Sequence, residues 1–482
     1  MNDQIRKLYI ILFAMVCSLA LAATYIQFYK APELNADARN SRTILHAAER
    51  DRGPIIVNGT AIAESVKIPD SRRYNRSYPA GDLYGHLTGW FSTNLGSSSG
   101  LESAADDILE GDAPSLFAQR LQNLLTGQER RGGGVNLTID AALQETAKSA
   151  LGGREGAVVA IEAKTGAIRA LYSSPSYDPN KLADPDGAAA LDYYKQLDAD
   201  SGKPLKNRAI AGDRYAPGSV FKLVTAAAML ESGLTPDSKV SGPASYRLPG
   251  TETDLPNISG LACGDGNPTL TEAFARSCNT TFAEGGVTVG AEKLHQKALD
   301  FGFEQDLSIP LPVTPSAYPE DLDQAQTALA AIGQSDVQVT PLQMAMIAAA
   351  VANNGQLMKP YLIDSVVNAD LEVQTNTKPE LLATPITPEV ASQLRTMMVA
   401  VVDTRYGTGG TMYLPGRTVA AKTGTAEVAD HNIAWSVAFI ANDNPVVVAV
   451  AIQGDDINPY VGGGTDAGPV VRQLLEVESA NE

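Results

Sequence analysis

The chain has 482 residues, 44% of them hydrophobic, which is enough for two or three domains around a large core. Its 37 basic and 55 acidic residues leave a net charge of −18, and that excludes the basic footprint of a nucleic-acid-binding protein. Beyond solubility, an acidic balance says little about function.

Residues 8–28 form an uncharged stretch of 21 residues, long enough as a helix to cross a hydrocarbon core of roughly 30 Å. Arg6 and Lys7 precede it, so the positive-inside rule leaves residues 1–7 in the cytoplasm. Ala20-Leu21-Ala22 fits the cleavage site of a secretory signal peptide, but the apolar stretch continues through Tyr25-Ile-Gln-Phe28. The reading is therefore a single uncleaved anchor. Either way, residues beyond about 30 lie outside the membrane, where a Cys263–Cys278 disulfide is chemically permitted. Two independent buried thiols are the alternative.

Residues 34–51 are polar and helix-tolerant, and residues 51–59 read as two short extended pieces meeting at Asn58-Gly59. Flexible connections follow at residues 96–100 and 132–134, with helical spacing over residues 101–125 between them. Residues 30–150 hold no cluster of reactive groups, which makes them a stalk or docking module.

The composition then shifts. An extended entry at residues 136–140 leads into a helix over 141–151, with Leu143, Ala147 and Leu151 on one face. Strands over 156–161 and 167–172 are joined by a tight turn at Lys164-Thr165-Gly166. Residues 215–360 are mostly helix-like, with caps and breaks at Pro236, Thr269, Pro341 and Gly355. Strands return over 417–421, 434–441 and 446–453, the last two as a hairpin around Asn442-Asp-Asn444, and a helix over 468–476 closes the chain. Strands from both ends around a helical middle predict an α+β domain with one antiparallel sheet and helices packed on it.

Three patterns carry chemistry. In Tyr215-Ala-Pro-Gly-Ser-Val-Phe-Lys222, Pro217 and Gly218 break the preceding chain, and a helix is predicted from about Ser219. Serine and lysine three apart share a helix face, so the Lys222 amine can reach the Ser219 hydroxyl. The helix dipole and burial against the apolar run that follows both disfavour a charged Lys222, leaving a nucleophile with its own base. Ser219 is the only serine with a lysine three residues after it.

Ser277-Cys278-Asn279 follows a helix over 270–276, where the serine can pass a proton and the asparagine can hold an amide. The bare pattern is weak, since Ser92-Thr-Asn94 and Ser479-Ala-Asn481 match it equally well. Lys422-Thr423-Gly424-Thr425, after Val419-Ala-Ala421 on a strand, offers a cation, hydroxyls for a carboxylate and a close backbone approach at Gly424. The other lysine-threonine-glycine, at residues 164–166, precedes the serine-lysine pair and is explained by turn geometry. No histidine triad competes: His46, His86, His295 and His431 are scattered and read as surface or packing residues.

In this order the three patterns resemble the signature set of penicillin-binding proteins and serine β-lactamases. Arg52-Gly-Pro-Ile55, Gly85-His-Leu-Thr-Gly89 and Gly100-Leu-Glu102 look like the N-terminal module of class B penicillin-binding proteins. Ser174-Pro-Ser-Tyr-Asp-Pro179, Gly333-Gln334 and Thr340-Pro-Leu-Gln343 are similar to segments of their transpeptidase domain. The resemblance covers nearly the whole chain, and the pattern with Cys263 and Cys278 looks closest to the actinobacterial branch. A cysteine at the middle of the second motif departs from the commoner serine or aspartate.

The resemblance implies a penicillin-recognising transpeptidase fold: a five-stranded antiparallel sheet with flanking helices and an all-helical subdomain. It implies residues 1–7 as tail, 8–28 as anchor, 29–150 as pedestal and 151–482 as transpeptidase domain. The expected activity is D,D-transpeptidation of peptidoglycan stem peptides, with Ser219 as nucleophile, Lys222 as base, and Ser277 and Lys422 in proton transfer. Asn279, Thr423, Gly424 and Thr425 would bind substrate, with Thr423 and Thr425 on its carboxylate, and the backbone N–H groups of Ser219 and Thr425 would hold the oxyanion. β-Lactams would acylate Ser219, and neither metal nor organic cofactor is needed. The anchor and pedestal suggest docking to a polytopic membrane glycosyltransferase, because no glycosyltransferase domain is evident here. The rivals are a β-lactamase, a D,D-carboxypeptidase, and a β-lactam sensor or wall-synthesis scaffold.

Overall fold

The computed structural model describes residues 2–26, 30, 48–117, 125, 131–212, 214–428 and 431–480. An exposed helix, Asn2–Thr24, opens the chain, and its span Gln4–Thr24 has a mean hydropathy of 2.0. Among the described residues it is the one helix long and apolar enough to cross a membrane. It starts earlier than the uncharged stretch, so Arg6 and Lys7 lie inside it; residues 27 and 28 of the expected span are outside the described residues.

Two sheets carry the rest. In chain order their strands are β1 (Ile55–Val57), β2 (Thr60–Lys67), β3 (Tyr74–Ser77), β4 (Gly134–Leu137), β5 (Gly156–Glu162), β6 (Ile168–Ser174), β7 (Ile363–Val367), β8 (Val373–Asn376), β9 (Val419–Val428), β10 (His431–Ile440) and β11 (Val446–Gln453). The pedestal sheet runs β8-β7-β4-β1-β2-β3, with β1 and β4 parallel and the other neighbours antiparallel. Asn58-Gly59 forms the turn between β1 and β2, both residues at positive φ. Two of the three strands on one side of β1 thus come from far along the chain, since β7 and β8 lie beyond residue 360.

The helical spacing over residues 101–125 resolves into short pieces, Gly100–Ala104 and Asp106–Leu109, and a 3-10 turn at Pro114–Leu116. Gly111, at φ +80°, and Pro114 interrupt any longer helix. Most of residues 118–130, like 31–47, lies outside the described residues.

The second sheet is antiparallel throughout, in the order β9-β10-β11-β5-β6, so the hairpin β5–β6 from the start of the domain closes onto β11 from its end. Seven of the eight residues of β11 are buried, and its near-continuous Val/Ala/Ile run suits a strand covered on both faces. Helices Ala141–Leu151 and Gly468–Ala480 pack together against this sheet, and helix Pro341–Ala352 packs on β11 and β5. Every residue of that last helix is buried; Pro341 sits in its first turn and Thr340 caps it by accepting from the Gln343 N–H at 3.2 Å. Helix Pro388–Asp403 packs on β9, the strand left at the sheet's edge. The middle of the chain also contains an unpredicted hairpin, Ser245–Arg247 with Asp254–Pro256.

Candidate active site

Ser219 lies in a 3-10 turn, Gly218–Phe221, that runs directly into helix Lys222–Glu231, where the sequence predicts one continuous helix. Gly218 makes the tight entry: its φ is +53°, and a Cβ there would stand 2.6 Å from the Thr425 carbonyl oxygen on β9. Its N–H donates to the Gly333 carbonyl at 2.9 Å. The turn is thereby clamped between the edge strand and residue 333. Ser219 is buried, and Lys222 is completely so.

The second motif occupies the short link between helices Leu270–Ala275 and Asn279–Val289. Ser277 is in the left-handed region at φ +58°, a conformation costing about 1–3 kcal/mol for a residue other than glycine. The link is held by the Ser277 N–H to the Phe274 carbonyl at 3.0 Å and the Cys278 N–H to the Ala273 carbonyl at 2.9 Å. Cys278 is bonded to Cys263 in a disulfide with its Cα atoms 6.0 Å apart, tying the link to the excursion that contains the 245–256 hairpin. The Asn279 amide donates to the Pro256 carbonyl at 3.3 Å, and Asn257 accepts from the Thr280 N–H at 3.1 Å.

The third motif is on β9 itself, where Lys422, Thr423, Gly424 and Thr425 pair with Val437, Ser436, Trp435 and Ala434. A Cβ on Gly424 would approach the Val220 nitrogen to 2.8 Å and the Ser219 nitrogen to 3.2 Å, so only glycine lets the strand lie against the serine turn. Trp435 Nε1 donates to the Ala216 carbonyl at 3.0 Å, bracing the turn from the neighbouring strand.

Two buried amines join the motifs. Lys222 Nζ donates to the Ser277 carbonyl and to Asn279 Oδ1, each at 2.8 Å, and lies 3.5 Å from Ser277 Oγ. Lys422 Nζ donates to Ser277 Oγ at 2.9 Å and to the Thr423 carbonyl at 2.7 Å. Ser277 is therefore a bridge between the lysines. The bonds of Lys222 run to the second motif and not to the Ser219 hydroxyl, its expected partner.

Burial pushes Lys222 well below the ordinary lysine value, and the nearby Lys422 charge pushes it further in the same direction. Burial alone lowers Lys422 to about 7. Among the described residues no carboxylate offsets either shift, and the remaining walls include the rings of Phe282 and Phe274, 5.6 and 5.5 Å from the two amines. A neutral amine beside a serine turn can accept a proton, and a second amine can be neutral or charged near pH 7.

Thr408 and Gly463 hydrogen-bond the threonines of the third motif from behind and have no counterpart in the sequence reading. Thr408 Oγ1 is 2.6 Å from Thr423 Oγ1, and the Gly463 N–H donates to Thr425 Oγ1 at 3.3 Å. Neither sits at a fixed spacing from a motif; their only signal is a glycine-rich setting, Gly407-Thr-Gly-Gly410 and Gly462-Gly-Gly464. The histidines stand apart from the lysines' partners. His86 is buried with Nε2 2.8 Å from the Pro204 carbonyl, His431 begins β10, and His46 is outside the described residues. His295, Glu304 and Glu320 bring ligand atoms within 4.8 Å of one another, but none belongs to the three motifs. The lysine-threonine-glycine at 164–166 turns the β5–β6 hairpin, its Gly166 at φ +83° with its carbonyl accepting from the Tyr361 N–H at 3.0 Å.

Residues 156–476 match the family described as penicillin binding protein transpeptidase domain, and residues 52–135 match the penicillin binding protein A dimerisation domain. The chain is 39% identical to the peptidoglycan D,D-transpeptidase PbpA of Mycolicibacterium smegmatis, covering 98% of both chains. It is 37% identical to the protein of the same name from Mycobacterium tuberculosis, over the full length of both. Its fold superimposes on the ceftriaxone acyl-enzyme complex of M. tuberculosis penicillin-binding protein A with a TM-score of 0.85 at 38% identity, covering 90% of this chain and 99% of that one. Motif order, sheet topology and full-length similarity agree: the chain belongs to the class B penicillin-binding protein transpeptidases, alongside the mycobacterial PbpA proteins.

Proposed function

We propose that this protein cross-links peptidoglycan stem peptides as a D,D-transpeptidase through an acyl-enzyme on Ser219. One observation carries the residue assignment: the three motifs meet around two buried lysines that burial holds below their ordinary pKa, with the serine turn clamped against β9. Neutral Lys222 has two hydrogens and one lone pair. Both hydrogens are directed at acceptors 2.8 Å away, on Ser277 and Asn279, so the lone pair is free to take the Ser219 proton.

Ser219 Oγ then attacks the penultimate D-Ala carbonyl. Backbone N–H groups of Ser219 and Thr425 would stabilise the oxyanion, usually the largest electrostatic contribution to such a reaction. Ser277 accepts from Lys422, which leaves its own proton available for the departing D-Ala, and reprotonation runs along Lys222, Ser277 and Lys422. Asn279 holds a stem-peptide amide, and Thr423 and Thr425 hold the terminal carboxylate. An amine from a second stem then takes the acyl group. A β-lactam follows the first half of this path and stops at the ester.

The helix Asn2–Thr24 supports a single-pass anchor, with residues 1–7 cytoplasmic and everything after about residue 30 outside. We read residues 29–150 as a pedestal that docks to a polytopic membrane glycosyltransferase and residues 151–482 as the catalytic domain, with β7 and β8 reaching back to complete the pedestal sheet. Acylation of the full-length protein by a fluorescent penicillin tests the assignment. A long-lived adduct is expected in the wild type and none in Ser219→Ala. An adduct that persists in the variant would refute Ser219 as nucleophile, and one that hydrolyses within seconds would favour a β-lactamase.

A further inference from the structure

A hydroxyl has one proton to donate and two lone pairs to accept with, whereas a carboxylate only accepts. A threonine that is to bind a carboxylate must therefore keep its proton unspent. Thr425 meets that condition on the protein side, because its oxygen accepts from the Gly463 N–H at 3.3 Å. Among the described residues no backbone N–H reaches the Thr423 hydroxyl oxygen. Its partner is the Thr408 hydroxyl at 2.6 Å.

Thr408 lies in the loop after helix Pro388–Asp403, and its own N–H donates to the Ala275 carbonyl at 3.2 Å, the last residue of the helix before Ser277. It thus bridges the second motif's helix and the third motif's strand. The alternative use of the Thr408 proton is the same Ala275 carbonyl, 3.5 Å from Oγ1, a far longer contact than the one to Thr423. Either hydroxyl of the 2.6 Å pair can be the donor, and Thr423 keeps its proton for a carboxylate only when Thr408 donates.

We propose that Thr408 is a positioning residue for substrate recognition: by donating to Thr423 it turns that hydroxyl's proton toward the carboxylate of the incoming D-Ala-D-Ala peptide or β-lactam. This rests on the reading of Thr423 and Thr425 as carboxylate ligands. Thr408 does not touch the substrate, so its removal weakens discrimination for the carboxylate and leaves the chemistry at Ser219 intact.

The test compares acylation of the full-length protein by benzylpenicillin and by its methyl ester, which lacks the carboxylate charge. Second-order constants are measured for wild type, Thr408→Val, Thr408→Ser and Thr423→Val, with thermal melting recorded for each. Thr408→Val is expected to cut the acid-over-ester preference by up to about tenfold, the upper scale of one neutral hydrogen bond, while the ester reacts as in wild type. Thr408→Ser, which keeps the hydroxyl, restores the preference. Equal slowing of acid and ester in Thr408→Val, or a lowered melting temperature with an unchanged preference, overturns the proposal and leaves Thr408 a structural residue. If Thr423→Val loses the preference and Thr408→Val keeps it, the proposal alone fails. If Thr423→Val also keeps it, the carboxylate reading fails with it.

Discussion

The pedestal and the transpeptidase domain each bury a cluster of cationic side chains, and the two treat the charge in opposite ways. In the pedestal, Arg52 and Arg76 close on the fully buried Glu102, each through Nε at 2.6 Å, and Arg52 also reaches Asp106 at 2.6 Å. Tyr78 OH lies 3.3 Å from the same carboxylate, and the Arg52 guanidinium is 4.4 Å from the centre of the Phe91 ring. Burial by itself would raise the Glu102 carboxyl, but the two guanidinium groups outweigh it and hold the carboxyl below its usual value. At the candidate active site the cations are lysines, no carboxylate faces them among the described residues, and burial drives them toward neutrality. Paired with carboxylates the buried cations stay charged; without them the buried amines are pushed toward the neutral form.

Breaking the pedestal joint has the largest expected effect. Glu102→Ala leaves two buried guanidinium groups short of their counter-ion and should cost about 3–5 kcal/mol in denaturant unfolding. A loss under about 1 kcal/mol would show that the joint is no more than a surface pair. The pH signature follows from the same shift. With its folded pKa depressed, Glu102 contributes stability above its unfolded value of 4.5, and that contribution disappears as pH falls through the lower folded value.

Lys422→Met sharpens the contrast from the other side. With a folded pKa of about 7 against an ordinary 10.5, Lys422 binds fewer protons folded than unfolded between those values, so its burden on stability is greatest at low pH and lifts as pH rises toward 10.5. At pH 7 that burden is roughly 4 kcal/mol. Loss of the bonds to Ser277 Oγ and the Thr423 carbonyl offsets part of the relief, by about 1–3 kcal/mol. The variant should therefore be more stable than wild type at pH 7 by about 1–3 kcal/mol, with the gain shrinking toward pH 10. A destabilised variant at every pH would mean the amine is not buried at a cost.

Sequence and structure diverge where contacts depend on distant chain. The hairpins β5–β6 and β10–β11 are legible because apolar runs are separated by clear turn residues, Lys164-Thr-Gly166 and Asn442-Asp-Asn444. Strands β7 and β8 are not, since β8 is exposed throughout and pairs only with β7, which finds its own pedestal partner β4 across more than two hundred residues. Local propensity also misjudges the serine turn: good helix formers follow Pro217, but its first residues are 3-10, with Gly218 packed against β9 and Gly424 of β9 packed against the turn. The spacing of Ser219 and Lys222 is visible in the sequence, whereas the direction of the Lys222 amine is set by acceptors 55 and 57 residues away. Thr408 was invisible for the same reason, its partner being fixed by the edge of a folded sheet.

The most direct measurement is the pH dependence of Ser219 acylation by penicillin, in wild type beside Lys422→Met. A general base kept neutral by burial predicts an acid limb well below the ordinary lysine value of about 10.4. Removing the Lys422 charge lifts one of the two causes that lower Lys222, so the surviving limb should move to higher pH in a slower enzyme. A limb near 10 in the wild type, or one that stays in place when Lys422 is replaced, would contradict the account.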